Sequence, residues 1–212
     1  MYISHTKKFI FIKPMKVAGT SIISIFRKHC DSSLTRHGNK TFSHPMYKIN
    51  PHDHETFSEV QLELPDQVEE YFVFSFVRNP WDRLVSQFFY LHKTNNTGAI
   101  LRYKKFDKNA INFLTHPFID FGSDIPRRYM SFYDHLKNVE GKINLNFIGK
   151  MENFQKDLNT ICDKIGIPKQ GPPHKNKTKH KHYTEYYDDE TREIVAKKYA
   201  RDIEYFGYKF GE

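Results

Sequence analysis

Two stretches of this chain ask for the same local shape, a buried strand that turns at once into a helix. Together they confine it to an α/β architecture. The first is Lys8-Phe-Ile-Phe-Ile-Lys-Pro-Met-Lys-Val-Ala-Gly-Thr-Ser-Ile22. Phe9 to Ile12 is an uninterrupted apolar run, the pattern of a strand covered on both faces. Lys13 and Pro14 end it, and a helix is predicted over Thr20 to Cys30 with Ile22, Ile23, Ile25 and Phe26 on or near its buried side. The second stretch is the strand Tyr71 to Val77, which flows into Arg78-Asn-Pro-Trp-Asp-Arg-Leu-Val-Ser-Gln-Phe88. Asn79 is a good N-cap, Pro80 suits the first helical position, and Asp82 complements the helix dipole. Two such units put their loops at the carboxyl edge of a parallel sheet, where open α/β folds bind ligands. The expected class is α/β and three-layered, a central parallel sheet flanked by helices.

Each junction is also an anion site in the making. The free N–H groups at a helix N-terminus and the positive end of its dipole face the turn before it. At the first junction Lys16 adds a mobile cation, Gly19 is the glycine of the turn, and Thr20 and Ser21 bring hydroxyls. The Walker A order, with lysine after the last glycine, is absent, because Lys16 precedes Gly19. The second strand ends in Arg78, not in the carboxylate that a magnesium-dependent phosphoryl transferase needs. Both departures point away from ATP hydrolysis and toward a nucleotide held by cations, with no metal expected.

A chain of 212 residues is read as one domain, 1–212, with a substantial core. Its 33 Lys and Arg against 25 Asp and Glu, formally +8, suit an anionic ligand or surface. The two cysteines, Cys30 and Cys162, form no metal-like pair or disulfide framework, which favours a reducing compartment. No run approaches the roughly 20 apolar residues of a membrane span. Met1 to Lys8 lacks the apolar core of a signal peptide. A cytoplasmic protein without stable membrane insertion is expected, so the Asn-x-Thr triplets at Asn95 and Asn176 would carry no glycan.

Farther along, His54 or Glu55 opens a short helix to Leu64, closed by Pro65, and Asp107 to Leu114 is another. Asn146 to Gly149 reads as a short strand. Phe154 to Ile165 is amphipathic, with Phe154, Leu158, Ile161 and Ile165 on one face and Gly166 at its end. The basic run Lys169 to His182 reads as a loop, and Asp188 to Tyr205 as the closing helix.

Taken in order, the two junctions resemble the PAPS-dependent sulfotransferases (PAPS is 3′-phosphoadenosine 5′-phosphosulfate). The likeness is to the carbohydrate branch that includes heparan sulfate 2-O-sulfotransferases, in a bacterial type. Lys16-x-x-Gly19-Thr20-Ser21 looks like that family's loop for the 5′-phosphosulfate, and Val77-Arg78-Asn79-Pro80-x-x-Arg83-Leu84-x-Ser86 like its 3′-phosphate motif. The stretch from His174 to Phe210 also resembles the tail of bacterial members. The resemblance implies the P-loop nucleotide-hydrolase-like sulfotransferase fold. It implies that Lys16, Val17, Ala18, Gly19, Thr20 and Ser21 bind the 5′ end, and that Arg78 and Ser86 bind the 3′-phosphate. PAP, the desulfonated cofactor, is then the product. Lys175 and Asn176 are candidates to close over the 3′ side. Arg83 is expected to be a structural ion-pair partner, and Trp81, Leu84, Val85 and Phe88 to be packing residues.

Sulfuryl transfer places charge on the leaving and attacking oxygens, so positioning and electrostatics should dominate catalysis. Lys16 is expected to donate to the oxygen of the departing 5′-phosphate. A base of near-neutral pKa is needed for the acceptor hydroxyl, which histidine supplies. His54 stands at the family's spacing before Arg78; His52 is the second choice, since the His-x-His pair leaves the register open. Arg127, Arg128 and Tyr129 are candidates to meet the acceptor, expected to be a glycan or glycosylated small molecule. Two other readings compete: a nucleotide kinase-like enzyme of the same fold, and a basic nucleic-acid-binding protein. The second rests on charge alone, with no nucleic-acid-binding module visible. No nucleic-acid partner is therefore expected.

Overall fold

Strand pairing follows the apolar runs. The computed structural model describes residues 1–29, 43–44, 47–48, 54–93, 129–171 and 180–212. The chain divides into two units, Met1–Val77 with Phe132–Lys175 and Arg78–Ser131 with Asn176–Glu212.

The first unit holds a four-stranded sheet in the order β1-β2-β5-β6, with β1 at Tyr2–Ser4, β2 at Phe9–Phe11, β5 at Phe72–Val77 and β6 at Phe147–Lys150. β2, β5 and β6 are parallel, as expected, with Phe9 opposite Phe72, Phe11 opposite Phe74 and Phe76 opposite Gly149. The edge strand β1 runs antiparallel to β2, so the sheet is mixed. That strand escaped the sequence reading because Tyr-Ile-Ser is too short for a period to show. A separate ribbon pairs β3 (Ser43–His44) with β4 (Tyr47–Lys48). Helices cover the sheet, giving three-layer α/β character.

The residue period explains the packing. Phe9 and Phe11 on β2 and Phe72 and Phe74 on β5 share one face, because alternate strand residues do. Phe74 is fully buried, with ring centroids 5.1 Å from Phe11, 5.9 Å from Phe9 and 5.5 Å from Phe26. Phe26 closes α1 (Gly19–Phe26), which pins that helix to the sheet. On the other face, Ser75 is fully buried and donates its hydroxyl to the Ile12 carbonyl at 2.9 Å, satisfying a polar group that burial would otherwise penalise.

α2 (Phe57–Glu63) starts at Thr56, where a capping box with Glu59 satisfies both ends of the first turn. Pro65 closes α2 as expected but also opens α3 (Pro65–Glu70), since proline's missing N–H costs nothing at a first helical position. α5 (Phe132–Leu136) was not read from the sequence; its five residues are shorter than two helical turns, and it is held by burial of Phe132 and Leu136. α6 (Phe154–Ile165) has the expected bounds, with Gly166 at φ 65° ending it.

The second unit is built on α4 (Pro80–Lys93), α7 (Asp189–Lys198) and α8 (Ala200–Phe206). Trp81, Leu84 and Val85 from α4 pack with Tyr129, Tyr183, Val195 and Tyr199. The closing helix expected as one piece breaks at Tyr199, whose ψ of 27° departs from the helical value. Tyr199 is 1% exposed, donates its hydroxyl to the Tyr129 carbonyl at 3.0 Å, and lies under the Arg83 guanidinium at 5.7 Å. Burial pushes its phenol up to about 12, so the donor stays protonated. No helix among the described residues is long and apolar enough to cross a membrane. Asp107–Leu114 lies outside the described residues.

Gly149 supplies a stability test. A Cβ there would lie 2.5 Å from Cε1 of Phe76, its partner on β5. Gly149→Ala should destabilise the protein by about 1–3 kcal/mol in denaturant unfolding, the usual cost of overpacking. Most of that loss should vanish in a Phe76→Leu background, and additive losses would contradict the contact.

Candidate functional site

Between the end of β2 and the start of α1 the backbone twice enters the left-handed region, at Lys16 (φ 69°) and at Ala18 (φ 50°). Neither is glycine, and each such residue costs roughly 1–2 kcal/mol. Strain of this kind persists where surrounding structure fixes it, and it concentrates at ligand sites. Left-handed residues in a turn aim successive N–H groups into a common concavity, the anion nest of phosphate loops. Ala18 caps α1 through its backbone, its carbonyl accepting from the Ser21 and Ile22 N–H groups at 2.8 and 3.1 Å.

The side chains of the turn divide by depth. Val17 is fully buried, so its side chain belongs to the core and only its backbone is left for a ligand. Ser21 is 5% exposed and its N–H is already used within the helix; Thr20 is exposed. Lys16 is half-buried. Gly19 is not at positive φ; it is needed for space. A Cβ there would meet the Lys13 side chain at 2.7 Å (Cδ) and 2.9 Å (Cγ), so the lysine stem crosses directly over this first helical residue.

Lys13 is the residue the sequence reading missed. Its carbonyl lies 2.7 Å from Nδ1 of His54. A carbonyl can only accept, so Nδ1 carries the proton and the basic lone pair of this imidazole resides on Nε2. The Thr56 capping box holds the chain just past the histidine: Thr56 N–H donates to Glu59 at 2.7 Å, and Glu55 and Thr56 are both buried. Within this unit, then, a tautomer-fixed histidine is tied to the residue that enters the Lys16 turn. No sequence signal announces a side chain to main chain bond across this separation.

The second unit carries the other junction. Asn79 is fully buried, and its Oδ1 accepts from the Trp81 N–H at 3.1 Å, the cap expected of it. Arg78 donates from Nε to Asp82 Oδ2 at 2.7 Å, one helical turn on. A guanidinium has five N–H donors in a fixed fork, and this ion pair orients the fork while using its Nε edge. The sequence showed Asp82 only as a dipole partner, although its i,i+4 spacing from Arg78 carried the pairing. Ser86 is 7% exposed on α4. Arg83 is 2% exposed and donates to the Met130 carbonyl at 2.8 Å, so the contact that holds it is to the main chain.

Tyr129 was expected at the acceptor. Its ring sits in the hydrophobic core at 4% exposure and its carbonyl holds Tyr199, which leaves no aromatic surface for a substrate. Arg127, Arg128, Lys175, Asn176 and His52 lie outside the described residues.

A family model described as "Sulfotransferase family" matches residues 1–209 of the chain. An uncharacterized protein of Archaeoglobus fulgidus is 33% identical over 104 residues, which cover 47% of this chain and 72% of that protein. No solved structure matches.

The strained turn predicts a gain from glycine. Ala18→Gly should raise unfolding free energy by about 0.5–1 kcal/mol, because the left-handed cost exceeds glycine's extra unfolded-state entropy. A loss of stability in chemical denaturation would show that residue 18 is not left-handed in solution.

Proposed function

The chain belongs to the sulfotransferase family, and from that premise we propose that it transfers a sulfuryl group from PAPS to a hydroxyl of a carbohydrate acceptor. The observation that carries this reading is the hydrogen bond from His54 Nδ1–H to the Lys13 carbonyl, which ties a base to the anion turn. The donor set fits the two phosphate ends of PAPS. The amides around Lys16 and Ala18 and the Thr20 hydroxyl suit the 5′ end, and the Arg78 fork held by Asp82 suits a terminal phosphate. PAPS supplies the sulfuryl group, with PAP as the other product.

The work of the protein's own groups follows from their chemistry. Nε2 of His54 accepts the proton of the acceptor hydroxyl as its oxygen bonds to sulfur. The Lys16 ammonium neutralises charge gathering on the 5′-phosphate oxygen as its bond to sulfur breaks, the kind of preorganised stabilisation that lowers barriers most. Arg78 and Ser86 orient the nucleotide from its 3′ side and add binding without taking part in bond making.

Thermal shift separates this reading from a kinase-like or nucleic-acid-binding one. PAP at 100 times its Kd should add about 2.7 kcal/mol of stability, with no comparable effect from ATP–magnesium or an oligonucleotide. An unchanged melting temperature with PAP together with a rise in ATP–magnesium would sink the proposal. Using radiolabelled PAPS and a panel of glycans, His54→Ala should lower turnover by roughly 10²–10⁴-fold, the usual range for a lost general base. Its PAP affinity should be retained, while Lys16→Ala should weaken both. Normal turnover in the His54 variant would move the base to another residue, His52 first.

A further inference from the structure

Residues 209–212 run against the junction that carries Arg78. Asn79, the buried residue next to Arg78, donates its amide Nδ2 to the Lys209 carbonyl at 2.9 Å and to the Tyr183 hydroxyl at 3.4 Å. The same Tyr183 hydroxyl accepts from the Gly211 N–H at 2.6 Å and donates to the Glu212 carbonyl at 3.1 Å. One phenol thus spends its single proton on the segment and both of its lone pairs on donors, one from the segment and one from Asn79, a fully satisfied arrangement. Between these polar ties, Phe210 stands edge-on to three rings, Trp81, Tyr183 and Tyr187, at 5.5, 5.6 and 5.6 Å. The Arg192 guanidinium lies 5.7 Å from its centroid. Trp81 and Tyr187 are themselves fixed, Trp81 Nε1 donating to the Arg192 carbonyl at 3.0 Å and the Tyr187 hydroxyl to the Trp81 carbonyl at 2.8 Å.

This is far more restraint than a short stretch of chain needs to stay in place. Asn79 is gripped from both sides: its Oδ1 caps α4 through Trp81, and its Nδ2 is held by the 209–212 segment. Pro80 fixes the next φ. The backbone from which the Arg78 side chain departs is therefore set by two elements, α4 and residues 209–212. Asp82 then fixes the far end of that side chain. We propose that residues 209–212, anchored by Phe210 and Tyr183, position Arg78 for the 3′-phosphate of the donor nucleotide. Phe210 and Tyr183 are positioning residues: they act through Asn79 and decide how strongly a 3′-phosphorylated nucleotide is preferred to one lacking that group. The proposal rests on the reading of the donor as PAPS.

The test uses two probes that differ only at the 3′ position, PAP and adenosine 5′-monophosphate, titrated calorimetrically into the full chain. Phe210→Ala should weaken PAP about tenfold, the scale of one misaligned charge-assisted contact to phosphate. The affinity for adenosine 5′-monophosphate should stay within about twofold, so preference for the 3′-phosphate collapses while the 5′ end still binds. Phe210→Leu, which keeps apolar volume in the ring cage, should recover most of the loss. Tyr183→Phe keeps its ring in the core and removes only the hydroxyl. It should show the same selective loss, and it carries the test alone should Phe210→Ala fail to fold. Equal losses for both nucleotides would mean that the segment merely stabilises the fold, and unchanged PAP affinity would mean that it does not reach Arg78; either result overturns the proposal. If the unaltered protein fails to prefer PAP over adenosine 5′-monophosphate, the PAPS reading itself is wrong, and the positioning role falls with it.

Discussion

The parallel pairing of β2 with β5 is the constraint from which the rest follows. Phe9 opposite Phe72 and Phe11 opposite Phe74 fix the register, and the Ile12 N–H continues the ladder to the Phe74 carbonyl at 3.0 Å. A slip of one residue would turn the phenylalanine faces of both strands away from each other. In a parallel pair both strands leave the sheet at the same edge. Within the first unit the chain therefore leaves β2 for Lys13 and the Lys16 turn at the same edge at which β5 ends in Val77. The direction in which each strand leaves the sheet is thus a consequence of strand pairing, before any side chain chooses a ligand.

How much of this was visible in the sequence varies with the range of the interaction. Apolar runs and helix punctuation are local, and they located β2, β5, α4 and α6 closely, with Asn79 capping and Gly166 terminating as their residue types demand. Elements held by packing escaped. β1 spans three residues and α5 five, too few for any period to register. The break at Tyr199 has the same origin: a continuous helix satisfies the local pattern, but the buried hydroxyl has a partner in the Tyr129 carbonyl and the ring has one in Arg83. Tertiary satisfaction of a large buried phenol overrode helix propensity there.

The candidate site divides along the same line. Lys16, Gly19 and Arg78 could be singled out because a turn lysine, a glycine and an arginine after a strand each carry a local meaning. What the residues do could not be read so directly. Gly19 looked like a backbone necessity, yet its φ is ordinary and the demand is spatial, with Lys13 packed across it. The left-handed positions are Lys16 and Ala18, residues that no turn rule would nominate. Lys13 looked like a strand terminator, yet its carbonyl determines which nitrogen of His54 carries the proton. Each of these roles belongs to geometry between distant residues, and one sequence holds no term for it.

Arginine and lysine are used differently here, and the difference follows from their chemistry. A guanidinium is rigid and many-toothed, so its value as a phosphate ligand lies in angle as much as in charge. Arg78 is accordingly braced: Asp82 holds its Nε, and the neighbouring Asn79 is clamped between the α4 cap and residues 209–212. An ammonium is a point charge on a flexible stem, so for a lysine reach counts for more than angle. The strain at Lys16 is placed in the backbone instead, at φ 69°, a conformation that turns neighbouring amides toward one side. Under the proposed function the braced arginine is the group that binds and the lysine the group at the reacting centre, so that binding of remote groups is spent on orienting that centre.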